Sequence, residues 1–174
     1  AAFANTKGGL LLVGIGDNKE IIGLKYPDED EYLLIKAIST MILPNPEYVV
    51  EKVSLDNDKT VLVFRIFESK SEPVYVGPEN KLYVRSADKS IQGSKEIKEI
   101  LKGQSKNKSY KFRFGDNEKT LMEYLDLNQY ITLQKFSEIC NLNPKFASRT
   151  LILLVLAGLL KIVPHELEDH FVLK

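Results

Sequence analysis

The pattern of apolar residues changes near residue 103, and this change constrains the fold more than any single motif. Before it, short β-rich runs alternate with turn signatures such as "GDNK" and "DNDK". After it, apolar residues recur at helical spacing. Between the two, the segment "GQSKNKSYK" is polar and basic, which is typical of a linker. The sequence therefore predicts a first domain at residues 1–103, a linker at 104–115 and a second domain at 116–174.

The first domain is predicted to be α+β, with a mixed, hairpin-rich sheet and helices. One helix is expected at 28–43, where acidic residues occupy the first turn. A second, short helix is expected at 94–102, capped by Ser94. The run at 10–15 is almost continuously apolar, which predicts a strand buried on both faces. Further β-rich runs lie at 20–24, 48–55, 60–67, 73–76 and 81–85.

The glycines near the start of the chain do not form a phosphate-binding loop. Such a loop follows a strand and precedes a helix, whereas here a helix end at 1–4 precedes Gly8 and Gly9, and the strand comes after them. Both glycines are expected to take positive φ and turn the chain into the strand. Gly14 and Gly16 form a G-x-G without the third glycine of a dinucleotide site. Nucleotide binding is therefore not predicted here.

The second domain is predicted to contain three helices, at 118–127, 132–140 and 144–157. Asn143 is the expected N-cap of the third helix, and Pro144 its first residue. Two short strands, at 159–163 and 170–173, follow. Three helices and a two-stranded wing make up the winged helix-turn-helix plan.

The third helix has an unusual outer face for a DNA-reading helix. Its expected core side is formed by Ala147, Thr150, Leu151, Leu154 and Gly158. The opposite side is basic in its first turn and aliphatic afterwards. An aliphatic strip marks an interface. Three partners are considered for it: a second chain, which is favoured here, another part of the same chain, or DNA. The residues of this outer face are Lys145, Arg149, Ile152, Leu153 and Leu156.

Composition excludes several classes of protein. Lys plus Arg and Asp plus Glu both number 24, so no global charge attracts nucleic acid or an acidic membrane. The single cysteine, Cys140, cannot form an internal disulfide or a thiolate metal site. His165 and His170 lack a third ligand. No membrane span or signal peptide is recognisable, and a cytoplasmic protein without a cofactor is expected.

Two separated motifs carry a resemblance to a known family. "AAFANTKGGLLLVGIGDNKEIIGLK" near the start and "KLYVRSADKSIQGSKEI" from residue 81 resemble the Schlafen AlbA-like domain. The positions that match its pattern are Phe3, Asn5, Gly8, Gly9, Gly14, Asp17, Gly23, Tyr83 and Arg85. The resemblance implies a mixed sheet with helices, a following winged helix and association with nucleic acid, as in transcriptional regulators.

The resemblance also implies an enzymatic alternative. Some Schlafen proteins are metal-dependent endoribonucleases with three carboxylates, of which two precede the A-F-A-N motif and the third corresponds to Asp17. A divalent metal needs several converging oxygen ligands, and Asp17 alone cannot supply them. Asp17 is therefore a weak metal candidate, expected to act as a turn residue, and this chain is expected to be inactive as a nuclease.

The sequence thus predicts a non-catalytic nucleic-acid-binding protein, a DNA-binding transcriptional regulator that dimerises through its winged helix. A pure protein-interaction module is the other alternative. Arg85 ends a strand before a small polar loop, where a cation could hold a phosphate or form an ion pair on the sheet. The expected nucleic-acid-binding residues are Lys7, Arg85, Lys89, Lys95, Lys145 and Arg149, and the expected dimer interface is Ile152, Leu153 and Leu156.

Overall fold

The computed structural model describes residues 1–56, 58–106 and 108–174. The chain divides into two compact units, Ala1–Val84 and Arg85–Lys174. Both helices and antiparallel strands are present, as the α+β prediction requires. The division falls inside the first predicted domain, within the β-rich run expected at 81–85, and the predicted domain bounds themselves stay a prediction.

The first unit contains one long helix and two antiparallel sheets. Its elements are β1 (Gly9–Val13), α1 (Pro27–Met41), β2 (Ile42–Leu43), β3 (Tyr48–Ser54), β4 (Thr60–Ile66), β5 (Tyr75–Val76) and β6 (Lys81–Ser86), the last ending beyond the division. One sheet has the strand order β1-β4-β3, with Leu11 opposite Phe64 and Val50 opposite Phe64. In the other, β5 pairs with β2 and with β6. The side chains of Leu62 and Phe64 on the central strand β4 are fully buried.

The first strand is not buried on both faces, and that prediction is wrong. Leu10 and Leu12 are each 48% exposed and Leu11 is 39% exposed. Among the described residues β1 pairs with β4 alone, so it lies at an edge of its sheet, where fewer side chains of neighbouring strands pack against its own. A continuous apolar run indicates a strand, but it does not distinguish an edge from a centre.

Asn5 joins the start of the chain to the second sheet. Its side chain is buried, donates to the carbonyl oxygens of Val74 (2.7 Å) and Tyr83 (2.9 Å), and accepts from the Val74 amide (2.8 Å). Its own amide donates to the Ala1 carbonyl in a helical turn. Asn5 therefore does more than follow the helix end expected at 1–4, because it binds the residue before β5 and a residue of β6, 69 and 78 positions away in sequence.

Several local predictions for the first unit need correction. Gly8 has a φ of +70°, as predicted, but Gly9 lies outside the left-handed region. The expected strand at 20–24 is reduced to isolated bridges from Ile21 and Leu24. The expected helix at 28–43 is shorter, because its last two residues form β2. The predicted turn at 56–59 includes Asn57, which lies outside the described residues.

The second unit follows the predicted order of elements, with one addition. Its elements are β7 (Lys89–Gln92), α2 (Lys95–Gln104), α3 (Asp116–Leu127), α4 (Leu133–Ile139), α5 (Pro144–Leu156), β8 (Leu160–Val163) and β9 (His170–Leu173). The added strand is β7, which replaces part of the polar loop expected after Arg85. Ser94 caps α2 by accepting from the Ile97 amide, and Asn143 caps α5 by accepting from the Lys145 amide. Strands β8 and β9 pair antiparallel.

The core of the second unit includes α2, which sequence analysis placed in the first domain. Ile100 of α2 is buried in one cluster with Phe136 of α4, Leu151 of α5 and Phe171 of β9. Of the five residues expected to face inward on α5, Ala147, Thr150, Leu151 and Leu154 are buried, whereas Gly158 is exposed. Helix α2 therefore packs directly beside α5.

Candidate nucleic-acid interface

A cleft of about 680 Å³ lies between α2 and α5 within the second unit. We call it the α2–α5 cleft. It is lined by cationic side chains of α2, of the segment after α2 and of the first two turns of α5, which we call its walls, and by half-buried aliphatic residues of the later turns of α5, which we call its floor. The lining residues are Lys95, Glu99, Lys102, Gly103, Lys106, Tyr110, Lys145, Ser148, Arg149, Ile152, Leu153 and Leu156.

Close contacts hold the two helices together at both ends of the cleft. Near the N-terminus of α2, the Ser148 hydroxyl donates to Glu96 Oε1 at 2.5 Å. Near its C-terminus, Gly103 gives room to Leu156, because a Cβ built on Gly103 would lie 2.7 Å from both Leu156 Cδ atoms. The Tyr110 hydroxyl donates to the Gly103 carbonyl at 2.9 Å. These contacts fix α2 next to α5, so the cleft between them is part of the folded unit.

The charge of the cleft is strongly positive, although the whole chain has a formal net charge of zero. Five cations line it against one carboxylate, Glu99, so the lining side chains carry a net charge of +4. The Glu99 carboxylate lies 4.0 Å from Lys102 Nζ, at the limit of an ion pair. Among the described residues, Lys95, Lys145 and Arg149 form no ion pair. Cations without a carboxylate partner are available to anions.

The structure brings together half of the cations predicted to bind nucleic acid. Lys95 lies at the first turn of α2, and Lys145 and Arg149 lie on the first two turns of α5. Sequence analysis missed Lys102 and Lys106. Lys102 ends the helix expected at 94–102, and Lys106 lies in the polar, basic segment that is interpreted as a linker.

The other predicted cations lie outside this cleft. Arg85 donates from Nη1 to the Ser90 hydroxyl at 3.0 Å. Lys89 forms an exposed ion pair with Glu166, with Nζ and Oε1 2.8 Å apart. That hydrogen bond raises the pKa of Lys89 and lowers the pKa of Glu166. Lys7 is an exposed residue of the first unit. Lys89 is therefore engaged locally, and the joint patch with Lys7 and Arg85 stays a prediction.

The three aliphatic residues of the predicted interface form the floor of the α2–α5 cleft. Ile152, Leu153 and Leu156 are half-buried, with α2 of the same chain beside them. This contact matches the alternative in which another part of the chain covers them. A second chain at the same face stays a prediction.

The remaining candidates for chemistry are not brought into a cluster. Asp17 is exposed in a turn where the Lys19 amide donates to the Gly16 carbonyl at 2.9 Å. His170 stacks between Tyr130 and His165, with ring centroids 3.8 and 4.7 Å away. Burial raises the pKa of the Cys140 thiol, which disfavours the reactive thiolate. In the described ranges, no three metal-ligating side chains converge.

A comparison with family models finds a match to the first part of the chain. The model described as Schlafen, AlbA_2 matches residues 1–94, which is more than half of the chain. The chain belongs to this family. Membership suggests a nucleic-acid-binding role. Comparisons with curated proteins and with solved structures found no match. Among the described residues, each helix of this Schlafen, AlbA_2 protein is too short or too polar to cross a membrane.

Proposed function

We propose that this protein binds nucleic acid without cleaving it, and that the α2–α5 cleft supplies the phosphate contacts. The observation that carries the proposal is the set of five cations around one cleft, three of them expected from the sequence. Membership of the Schlafen, AlbA_2 family, whose model matches residues 1–94, supports the same ligand class for the chain as a whole, and the cleft lies outside that match. Lysine and arginine side chains on adjacent helices can each neutralise a phosphate oxygen.

The contact is proposed to position the nucleic acid without reading its bases. A recognition helix must project into the major groove, which is about 12 Å wide. Helix α5 has α2 packed along its outer side, joined to it through Ser148 and Glu96 and through Leu156 and Gly103. A duplex would therefore meet the cationic walls before the floor of the cleft, and binding should depend weakly on sequence.

The order of helices and strands in the second unit supports a more specific proposal. Helices α3, α4 and α5 and the β8–β9 pair have the order of a winged helix-turn-helix domain. We propose that the second unit is such a domain and that the protein is a cytoplasmic transcriptional regulator with duplex DNA as its target. A homodimer whose interface leaves the clefts open would give it two sets of phosphate contacts on one duplex.

The test is the salt dependence of binding. Duplex DNA and a structured RNA are titrated by fluorescence anisotropy at several salt concentrations. If all five cations contact phosphates, the logarithm of the binding constant should fall with a slope of about −4.5 against the logarithm of salt concentration, since each contact contributes about −0.9.

The matched variants are Arg149→Ala in the cleft and Lys119→Ala on α3, which remove the same charge. Arg149→Ala should weaken binding to all sequences equally and reduce the slope by about 0.9. Lys119 is exposed and lies outside the cleft, so its variant should bind as the wild type does. Equal losses from the two variants would contradict the proposed surface.

A further inference from the structure

The floor of the α2–α5 cleft has chemistry that a phosphate backbone does not use. Ile152, Leu153 and Leu156 are half-buried aliphatic side chains at its base. Phosphate and sugar contacts are made by cationic and polar groups. A concave aliphatic surface edged by polar groups marks a site for an apolar ligand or a protein partner. A ligand that uses the whole cleft must therefore have both acidic and aliphatic parts.

The floor also differs from a surface for unstacked bases. Single-stranded nucleic acids are held by aromatic side chains on which successive bases stack. Among the described lining residues, Tyr110 is the aromatic one, and its hydroxyl is held by the Gly103 carbonyl at one end of the cleft. The aliphatic surface between the walls fits aliphatic side chains better than a row of bases.

The two walls give the ligand its charge and its approximate shape. Lys95 and Lys102 lie on α2, with Lys106 just beyond it, and Lys145 and Arg149 lie on α5. An aliphatic cleft lined by cations from both helices complements a helix that is aliphatic on one face and acidic elsewhere. Amphipathic helices bind grooves through residues spaced i, i+3 or i+4, and i+7.

We propose that the α2–α5 cleft is the docking site for an acidic amphipathic helix of a partner protein, and that this helix competes with nucleic acid. The partner's aliphatic side chains contact Ile152, Leu153 and Leu156, and its carboxylates pair with the cationic walls. Because both ligands use the same cations, the partner releases the nucleic acid. The competition rests on the proposed function, whereas the docking does not.

The probe is a synthetic helical peptide with leucines on one face and glutamates on the others. Its control has the same leucines, with lysine in place of each glutamate. The glutamate peptide should bind the full chain and displace duplex DNA, and the lysine peptide should do neither. Binding of both peptides alike, or of neither, would overturn the docking site.

Variants of the floor separate the two ligands. Leu153→Gln should weaken peptide binding by roughly tenfold, the effect of losing one aliphatic contact, with little change in duplex DNA binding. Leu153→Ala, which adds no polar group, is the second variant if the first does not fold. Arg149→Ala should weaken both ligands. Peptide binding indifferent to both Leu153 variants would contradict the proposal.

The outcomes also distinguish this inference from the proposed function. If the peptide binds at the cleft but wild-type protein does not bind DNA, the proposed function fails and the docking site stands. If DNA binds and the peptide does not, the inference alone fails. If both bind together without competition, the shared surface is wrong. A floor variant that loses oligothymidylate binding but keeps peptide binding would identify the occupant as a nucleic-acid strand.

Discussion

The side chain of Asn5 exchanges two hydrogen bonds with the backbone of Val74, donating to its carbonyl at 2.7 Å and accepting from its amide at 2.8 Å. Its second amide hydrogen bonds the Tyr83 carbonyl at 2.9 Å. Val74 is fully buried. An asparagine amide can satisfy both a donor and acceptors, and here it satisfies three backbone groups next to the Tyr75–Leu82 pair of β5 and β6.

We therefore expect Asn5 to act on stability and not on binding. Asn5→Ala leaves a buried amide and two carbonyls without their partner, and should lower the free energy of unfolding by about 2–3 kcal/mol. Asn5→Asp should cost at least as much, because its carboxylate would face two carbonyl oxygens. Urea unfolding measures both, with Lys7→Ala as the exposed control. A loss for Asn5→Ala no larger than for the control would contradict this role.

Gly8 and Gly9 are required for different reasons. Gly8 has a φ of +70°, and a Cβ there would lie 2.6 Å from the Ile66 carbonyl oxygen. At Gly9 a Cβ would overlap Phe3 Cδ1, a side-chain atom that can move. Gly8→Ala should therefore cost about 2 kcal/mol or more, since the left-handed strain adds to the clash.

A double-variant cycle tests the distinction. Phe3→Leu shortens the side chain that faces Gly9, so adding it should recover part of the stability lost by Gly9→Ala. The same change should not rescue Gly8→Ala, whose neighbour is backbone. Rescue of both glycine variants, measured as the free energy of unfolding in urea, would show that the two positions do not differ in this way.

The stability of the second unit should depend on pH through His170. Desolvation, and then the neighbouring His165, lower the pKa of His170 from its ordinary value of 6.5. Between the folded-state pKa and 6.5 the unfolded chain binds more protons, so the free energy of unfolding falls as pH drops through this window. Burial raises the pKa of Asp169 above its ordinary value of 3.8. The folded chain therefore binds the extra proton at this group, so its contribution to the free energy of unfolding rises as pH drops, at pH values nearer 3.8.

His170→Phe retains a ring beside Tyr130 and removes the titration. Urea unfolding between about pH 5 and pH 8 should show a loss of wild-type stability on the acid side that is reduced in the variant. An unchanged pH dependence in His170→Phe would assign the loss to other groups. His165→Phe provides a matched substitution on the other side of the stack.

Arg85 is expected to contribute one phosphate contact outside the α2–α5 cleft. Arg85→Ala should weaken binding to all nucleic-acid sequences alike and reduce the salt slope by about 0.9. Arg85→Lys retains the charge but changes the geometry that now places Nη1 3.0 Å from the Ser90 hydroxyl, and should keep the slope. If affinity and slope are unchanged in Arg85→Ala, this arginine has a structural role.

Local patterns predicted most elements, because caps and turns are encoded by neighbouring residues. Ser94 and Asn143 cap the expected helices, and Gly8 has the expected positive φ. Long-range relationships were not accessible in the same way. The exposure of Leu11 depends on the place of β1 at an edge of its sheet, and the contacts of Asn5 depend on Val74 and Tyr83, 69 and 78 positions away. Neither leaves a periodic signal in the sequence.

The site was predicted in part for the same reason. The helical spacing of α5 grouped Lys145 and Arg149 with the aliphatic strip, and the structure retains that grouping. The spacing could not indicate that α2 lies beside them, because the position of α2 depends on the packing of Ile100 into the core of the second unit. The cations of α2 and the cleft itself follow from that packing.

The charge of the α2–α5 cleft affects how the predicted homodimer should respond to salt. A two-fold contact through Ile152, Leu153 and Leu156 would bring two clefts together, each with a net charge of +4. Repulsion between them is screened by salt, whose Debye length is about 10 Å at 0.1 M. Dimerisation through this face should therefore strengthen as salt rises, whereas nucleic-acid binding weakens.

Sedimentation of the protein over a range of salt concentrations tests that dimer. Lysine is a sharper substitution than glutamate at Leu153, because a carboxylate would pair with the partner's cations and could hold the dimer together. Leu153→Lys adds like charge at the contact and should give a folded monomer at every salt concentration, while Lys119→Ala should behave as the wild type does. Leu156 is left unchanged because it packs on Gly103 within the chain. If the wild type stays monomeric at high salt, α2 of the same chain is what covers the aliphatic strip. If a dimer persists in Leu153→Lys, the dimer interface lies elsewhere.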